Sequence, residues 1–196
     1  HGEIDECCDW ATGKAINDGA NWFVWDGDGM GTGLKRQVNI AFDSTGIKYH
    51  MFRGSLSGKG QDNAEKIYMP QHGDGDTKPK TYKETFKNNR AQFYTDFATR
   101  CYNTFRCVER GEYVSPDEMI SFDSDGIESM KNLQSEVCRI PTKSNPGGLI
   151  QIMNKQEMKL LGIDSPNESD SVMMSLFKPA AQVEFKPINY PKMSVI

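Results

Sequence analysis

Apolar residues recur every three to four positions in several parts of the chain, a spacing typical of a helix with one buried face. In the longest part, residues 83–108, aromatic and sulfur-containing side chains form a stripe that runs from Phe86 to Phe105. The first part, residues 3–17, is followed by an Asp-Gly pair that favours a turn. The predicted helices are residues 3–17, residues 83–108, part of residues 117–138, a short helix that stops at Gly162 and a last helix that begins at Ser165.

Short apolar runs bounded by glycine or polar residues predict strands over residues 22–26, 47–53 and 149–153. The first run, WFVWD, is rich in strand-forming side chains and suits a buried strand. Strands that alternate with helices predict an α/β fold. Residues 54–80, rich in Gly, Lys, Asp and Pro, predict a long loop, and the chain after Pro179 is expected to be extended.

Length and charge narrow the class of protein. The 196 residues suffice for one domain with its own core, and neither a linker nor an internal repeat divides residues 1–196. No stretch of about 18 apolar residues predicts a membrane-spanning helix, and no signal peptide opens the chain. Because Lys and Arg number 23 against 27 Asp and Glu, the net charge is −4, whereas a protein that only coats DNA is usually basic.

The cysteines disfavour a structural metal and a disulfide framework. Their number is odd, five, and no C-x-x-C pair occurs. Reduced thiols of a cytosolic protein are the simpler interpretation.

One candidate site lies where the first predicted strand ends. Asp26 follows the apolar run and precedes a glycine-rich loop, residues 27–33, with Asp28 two positions on. A carboxylate at the end of a buried strand is a common position for an active-site residue, and the glycines are expected to leave space for a ligand or a metal. An ordinary Asp-Gly turn explains the same residues. The loop matches neither the P-loop nor the dinucleotide-binding pattern.

A second candidate site lies at the start of the last helix. Ser165 and Glu168 have the spacing of a capping box, and Pro166 suits the first helical position. Asp170 would then share a face with Met173 and point toward the core. Burial of an unpaired carboxylate costs several kcal/mol, so Asp170 should have a cation as partner or a shifted pKa, unless its side chain reaches solvent near the helix start.

Together the two acids predict a metal site. Asp26 and Asp170 could bind Mg²⁺ or Mn²⁺ with their carboxylates roughly 4–8 Å apart, although two aspartates are few for such a site and a third acid is expected. Basic residues close to the glycine loop, Lys35, Arg36 and Arg53, are candidates for contacts with DNA phosphates. Arg90 interrupts the stripe of residues 83–108, so it either pairs with a carboxylate or extends to solvent.

Three segments resemble motifs of the large terminases of tailed phages. Residues 25–34, WDGDGMGTGL, resemble the acidic motif in which a strand ends in Asp before a glycine loop. Residues 89–94, NRAQFY, resemble the N-[KR]-R-A-x-x-Y/W segment that opens the following helix, and residues 165–174, SPNESDSVMM, resemble the last acidic motif. The likeness is greatest to terminases of short-tailed, headful-packaging phages of enteric bacteria, and it extends from about residue 9 to residue 179.

The resemblance implies an RNase H-like nuclease domain, with a mixed sheet flanked by helices, that cuts concatemeric viral DNA during packaging. It implies Asp26 and Asp170 as metal ligands, Asp28 as an outer ligand or water-positioning residue, and two Mg²⁺ or Mn²⁺ ions. The strand that carries the family's remaining acid, with its neighbours, would precede His1, so a fragment without its N-terminal strands and without an ATPase domain is expected. Double-stranded DNA, the portal protein and the small terminase subunit are the implied partners, in the host cytoplasm and not at a membrane.

Two other functions fit the same residues. A different RNase H-like nuclease, such as a resolvase or an integrase, would use similar acids. A non-catalytic module that docks on the portal or on DNA would instead use the loop of residues 54–80 and would bind no divalent cation at Asp26 and Asp170.

Overall fold

The computed structural model describes residues 3–68, 79–127 and 129–177, in which helices alternate with short strands. The helices are α1 (Ile4–Asn17), α2 (Lys35–Phe42), α3 (Tyr82–Thr85), α4 (Asn89–Arg110), α5 (Met130–Val137), α6 (Lys155–Leu160) and α7 (Asn167–Ser175). The strands are β1 (Trp22–Asp26), β2 (Lys48–Phe52), β3 (Ile67–Tyr68), β4 (Lys80–Thr81), β5 (Thr142–Lys143) and β6 (Gln151–Ile152). The predicted α/β class is confirmed.

The strands of the described residues pair two by two and do not form one continuous mixed sheet. β1 and β2 are parallel, with Trp22 opposite Lys48 and Asp26 opposite Phe52. β3 pairs with β4 and β5 with β6, both antiparallel. The chain between β1 and β2 passes through a 3₁₀ turn, Gly29–Leu34, and through α2. Because β1 and β2 are parallel, both carry their carboxyl ends to the same edge, where the candidate site lies.

Two apolar clusters lie on the two sides of this strand pair. On one side, Phe52 packs with the stripe of α4, Phe93 and Phe97, and with Met173 of α7. On the other side, the buried residues come from α1, β1 and α2: Cys8, Trp25, Val38 and Phe42. The alternation of side chains along β1 and β2 therefore fixes α4 and α7 on one face and α1 and α2 on the other.

The longest predicted helix is interrupted in the structure. Residues 83–108 were expected to form one helix, but α3 ends at Thr85 and α4 begins at Asn89. Between them Phe86 pairs with Ile150, and the Asn88 side chain accepts a hydrogen bond from Ala91 N–H that caps α4. Phe86 is thus buried by a strand-like contact with Ile150, and it is not part of the apolar stripe of the helix.

Other elements differ in length or burial between the prediction and the structure. The helix within residues 117–138 is only the eight residues of α5, the strand of residues 149–153 is only the two residues of β6, and α2 had no prediction. β1 is less buried than expected, because only Trp25 of its five residues is fully buried. The chain after Pro179 lies outside the described residues. No helix among those described is both long and apolar enough to cross a membrane.

Candidate functional site

A cavity of about 400 Å³ opens at the carboxyl ends of β1 and β2. It brings together Asp26, Asp28 and Asp170, which lie far apart in the sequence. The remaining wall comes from β2 and the loop after it, from the start of α4, from the start of α6 and from α7: Phe52, Gly54, Ser55, Asn88, Arg90, Asn154, Lys155, Met173 and Met174. The three acids predicted from the sequence therefore line one cavity.

Asp26 is held by a turn at the end of β1. The side chain is exposed, and its Oδ1 accepts a hydrogen bond of 2.9 Å from the backbone N–H of Asp28. This is the Asx turn that the Asp-Gly sequence favours. The turn and the candidate site are thus compatible interpretations of the same residue, because the turn orients the carboxylate toward the cavity that it lines.

Asp28 joins the ends of the two parallel strands. Its Oδ2 accepts a hydrogen bond of 2.9 Å from Ser55 N–H, and its Oδ1 accepts one of 2.7 Å from the Ser55 hydroxyl. Both oxygens are therefore already engaged by protein donors. A Cβ on buried Gly54 would lie 3.3 Å from Arg90 Cβ, which is tighter than most such contacts, so this glycine favours the close packing of α4 on the loop after β2.

Two of the four loop glycines, Gly27 and Gly31, do not leave the open space that was expected beside Asp26, whereas a Cβ on either of the other two would meet no heavy atom within 4 Å. A Cβ on Gly27 would lie 2.3 Å from Met51 Cγ and 2.9 Å from Phe52 O, and a Cβ on Gly31 would lie 1.7 Å from Asp26 O. The loop folds back against its own strand, and Trp25 Nε1 donates a hydrogen bond of 3.0 Å to Gly31 O. These two glycines permit close packing of protein on protein, and the space for a ligand lies on the other side, in the cavity.

Asp170 is buried and carries three partners. Tyr94 Oη donates a hydrogen bond of 2.6 Å to its Oδ1, and an Arg90 guanidinium nitrogen lies 3.4 Å from the same oxygen. The ammonium of Lys155 lies 2.9 Å from Oδ2. Of the two interpretations of Asp170, the structure supports the one in which its carboxylate faces the core and has cation partners, and of those of Arg90 it supports pairing with a carboxylate.

The two cationic side chains around Asp170 differ in how exposed they are and in how many contacts hold them. Only 16% of the Arg90 side chain is exposed, and it also donates a hydrogen bond of 2.8 Å to Met153 O, whereas 48% of the Lys155 side chain is exposed. Arg90 is thus a fixed counter-charge, and Lys155 is the cation that can leave. Burial first, and then the negative charge of Asp170, raise the pKa of Tyr94, so its hydroxyl stays protonated and donates to Asp170.

The predicted capping box at the last helix is wrong. Ser165 Oγ donates to Asn167 Oδ1, Pro166 is the capping residue and not the first helical one, and no side chain of the capping residue caps the helix. Instead Glu136 of α5 accepts a hydrogen bond of 2.8 Å from Ser169 N–H in the first turn of α7. A carboxylate from another helix therefore supplies the acceptor that local sequence was expected to supply.

The basic residues that line the cavity are Arg90 and Lys155, and the predicted set, Lys35, Arg36 and Arg53, is not among its lining residues. Lys35 and Arg36 are exposed at the start of α2, and Arg53 is half-buried. The role of these three residues in DNA binding stays a prediction.

Sequence reasoning missed Tyr94 and Lys155 as site residues. The four-residue spacing of Arg90 and Tyr94 places both on one face of α4, which is a signal that could have found Tyr94. For Lys155 the local sequence holds no such signal, since it is the first residue of a short, largely exposed helix.

The donor chemistry of the cavity suits a hard divalent cation, because such ions prefer carboxylate and carbonyl oxygens. Within residues 3–68, 79–127 and 129–177, however, no three His, Cys, Asp or Glu side chains gather closely enough to hold a metal ion. The five cysteines are unpaired, and none of them lines the cavity.

The fold and the site together define an α/β protein with an acidic cavity at the carboxyl ends of parallel strands. No protein-family model and no curated protein matches the chain. Solved structures do. The nuclease domain of the large terminase subunit of bacterial virus Sf6 is 42% identical over 91% of this chain and 74% of its own, with a TM-score of 0.80.

Two further Sf6 structures, of a lysine-to-alanine mutant of that domain, are also similar. One, with manganese and beta-thujaplicinol, is 43% identical over 92% of this chain and 75% of its own, with a TM-score of 0.80. The other, with calcium, is 42% identical over 91% of this chain and 74% of its own, with a TM-score of 0.78. The chain belongs to the family of phage large-terminase nuclease domains, as its motifs predicted.

Proposed function

We propose that this chain is the divalent-metal-dependent DNA endonuclease domain of a DNA-packaging motor, and that it cuts concatemeric viral DNA. One observation carries the proposal: in a chain 43% identical to a terminase nuclease domain, acids from β1, from the loop after it and from α7 line one cavity. We further propose that residues 1–196 form a single RNase H-like domain. Manganese and calcium accompany the Sf6 domain in its structures, which supports a divalent ion here.

Asp26 and Asp170, which both line the cavity, are the proposed metal ligands. Asp26 is exposed and keeps Oδ2 for a ligand, since its Oδ1 accepts the N–H of Asp28. Asp28 is the proposed positioning residue, because Ser55 engages both of its oxygens. Mg²⁺ or Mn²⁺, in one or two copies, would supply Lewis acidity and charge neutralisation for phosphodiester hydrolysis.

We propose that Lys155 neutralises Asp170 in the absence of metal and DNA, and that it moves away when they bind. Its ammonium lies against Asp170 Oδ2, the oxygen that a divalent cation would need. Because its side chain is half-exposed, Lys155 can exchange this contact for a phosphate oxygen of DNA, while Arg90 and Tyr94 hold Oδ1. The protein thus keeps the buried carboxylate neutralised before metal and DNA arrive.

The substitution Lys155→Ala tests this role. Removal of the competing ammonium should increase the affinity of the chain for Mn²⁺ about tenfold, measured by isothermal titration calorimetry, because one charge contact on Oδ2 is removed. Lys159→Ala, one turn further along α6 and exposed, is the matched control and should change nothing. Unchanged or weaker Mn²⁺ binding in Lys155→Ala would contradict the proposal.

The endonuclease activity itself is tested by nicking of supercoiled plasmid in Mn²⁺, with the chain alone and with the complete large subunit. We expect the complete subunit to nick DNA and Asp26→Asn to stop it. A docking module on the portal or on DNA, the second candidate, predicts no nicking and no Mn²⁺ binding. Branched DNA cut in preference to duplex DNA would favour a resolvase-like enzyme.

The proposed partners follow from the family. They are double-stranded viral DNA, the portal protein and the small terminase subunit, and the proposed place of action is the procapsid in the host cytoplasm. The predicted phosphate contacts of Lys35, Arg36 and Arg53 belong to this proposal, together with those of Lys155 at the cavity.

A further inference from the structure

Asn89, the first residue of α4, is a polar residue that is completely buried. Its side-chain Nδ2 donates a hydrogen bond of 3.0 Å to Arg53 O and one of 2.8 Å to Asp62 Oδ2. Its Oδ1 accepts a hydrogen bond of 2.8 Å from Asp62 N–H. The nitrogen and the oxygen of this amide are therefore both paired with one segment, residues 53–62, which follows β2.

Neither the start of the helix nor the shape of the side chain explains an asparagine at this position. Asn88 already caps α4, because its side chain accepts a hydrogen bond from Ala91 N–H. Aspartate has the same shape but no side-chain N–H, and it would bring a second carboxylate against the half-buried carboxylate of Asp62. Alanine would remove all three side-chain hydrogen bonds from a buried position, which is costly. An amide is thus the group that these contacts require.

The segment that Asn89 holds is the one that contacts Asp28. Ser55 lies in this segment, and its N–H and its hydroxyl donate hydrogen bonds of 2.9 and 2.7 Å to the two carboxylate oxygens of Asp28. The carbonyl groups of both neighbours of Ser55 accept hydrogen bonds of 2.9 Å from the N–H groups of Asn89 and Arg90. The position of Ser55, and through it that of Asp28, therefore depends on the start of α4.

The same end of α4 carries two partners of Asp170. An Arg90 guanidinium nitrogen lies 3.4 Å from Asp170 Oδ1, and Tyr94, one turn further along the helix, donates its hydrogen bond of 2.6 Å to the same oxygen. Asn89 precedes Arg90 directly. Its hydrogen bonds therefore join the groups that hold Asp170 to the segment that holds Asp28. A shift at this junction would change the separation of the two acids.

We propose that Asn89 is a positioning residue of the nuclease site, and that it keeps Asp28 and Asp170 at the separation that metal and DNA require. This role rests on the proposed endonuclease function. Asn89 itself lines no part of the cavity, and it acts through Ser55 on one acid and through Arg90 on the other. Metal–ligand distances in proteins fall within about 0.2 Å of their standard values, and a displacement of about 1 Å can reduce catalysis about 100-fold. A partial displacement of the acids should therefore reduce the rate without unfolding the protein.

The test compares Asn89→Ala with Asn103→Ala, which removes an equally buried amide from the same helix. Asn103 donates a hydrogen bond of 2.9 Å to Glu118 O and lines no part of the acidic cavity. Both variants should lower the urea midpoint, because each loses buried hydrogen bonding. In the complete large subunit, only Asn89→Ala should reduce plasmid nicking in Mn²⁺, by about tenfold, and increase the Mn²⁺ concentration that gives half the maximal rate. Nicking is measured at a temperature at which thermal melts show both variants to be folded.

Hydrogen exchange of the Ser55 N–H, followed by NMR on the ¹⁵N-labelled chain, is a measurement that needs no activity. Exchange should be about tenfold faster in Asn89→Ala and unchanged in Asn103→Ala, since only the first substitution loosens the segment that carries Ser55. Asp62→Ala, at a half-buried position, removes one contact of Asn89 and should change nicking and exchange in the same direction by about threefold.

Equal nicking by Asn89→Ala and Asn103→Ala, or unchanged Ser55 exchange in Asn89→Ala, would overturn the positioning role. If Asn89→Ala does not fold, normal nicking by Asp62→Ala has the same consequence. A wild-type subunit that neither nicks DNA nor binds Mn²⁺ would instead overturn the proposed function, and the role with it, before any variant is compared.

Discussion

The two acids of the candidate site are held in opposite ways. Asp26 is exposed at a strand end and is oriented by one backbone hydrogen bond within its own turn. Asp170 is buried on a helix and is contacted by Tyr94, Arg90 and Lys155, which come from two other helices. Local sequence therefore suffices to place Asp26, whereas Asp170 depends on the packing of α4, α6 and α7. We expect substitutions at Asp26 to affect chemistry alone and substitutions at Asp170 to affect chemistry and stability together.

The largest expected effect is that of Asp170→Asn on DNA cleavage. Loss of a negative ligand should reduce Mn²⁺-dependent plasmid nicking by the complete subunit at least about 100-fold. If Asp170 were unpaired, its neutralisation could even raise stability, but the contacts with Arg90 and Lys155 reverse this expectation. The variant should lose about 1–3 kcal/mol in urea unfolding, because Arg90, whose side chain is largely buried, loses its counter-charge. Asp164→Asn, exposed before α7, is the control, and normal nicking by Asp170→Asn would reject its proposed role.

Asp26→Asn should reduce plasmid nicking as much as Asp170→Asn does, but it should leave the stability of the protein unchanged. The amide retains an oxygen that can accept the Asp28 N–H, so the turn should persist and the urea midpoint should stay within experimental error. Asp28→Asn should reduce cleavage less, by about tenfold, because Ser55 engages both Asp28 oxygens and the proposed role of Asp28 is to position the site and not to bind the metal directly. Equal cleavage defects in Asp26→Asn and Asp28→Asn would contradict the distinction between ligand and positioning residue.

Tyr94→Phe tests how much the hydrogen bond from Tyr94 to Asp170 contributes to stability. Removal of a hydrogen bond to a buried carboxylate should destabilise the protein by about 1.5–3 kcal/mol. The pKa of Tyr94 is raised in the folded state, so its contribution is complete below the unfolded value near pH 10 and is lost as the pH rises above it. Above about pH 10 the wild type should therefore lose up to about 1.4 kcal/mol per pH unit more than Tyr94→Phe. Parallel stability curves for the two proteins would show that Tyr94 does not titrate as proposed.

The smallest effect concerns the predicted basic patch. Reversal of charge at Lys35, Arg36 and Arg53 should weaken duplex DNA binding for all sequences alike and reduce its salt dependence, measured by fluorescence anisotropy at several salt concentrations. Lys155→Ala should reduce the salt dependence by about one phosphate contact. If only Lys155→Ala changes it, DNA contacts the cavity wall and not α2.

The sequence predicted the parts of the fold that depend on near neighbours. The apolar periods placed α1, the body of α4, β1 and β2, since each pattern reports the face that its own element buries. It missed the break before α4, because the pairing of Phe86 with Ile150 joins residues 64 positions apart. It also missed α2, because the glycine-rich residues that precede this helix predict a loop.

For the site, the sequence by itself determined that Asp26 ends a strand in a turn, and it limited Asp170 to two placements, one facing inward with a cation and one reaching solvent near the helix start. Those conclusions depend on local conformation and on the cost of burying a charge, which neighbouring residues reveal. Only the tertiary structure decided which cations pair with Asp170, that Glu136 of another helix caps α7, and that the three acids share one cavity. Those contacts join distant segments, and since many side chains of the right charge exist along the chain, only the packing of the helices on the parallel strands selects among them.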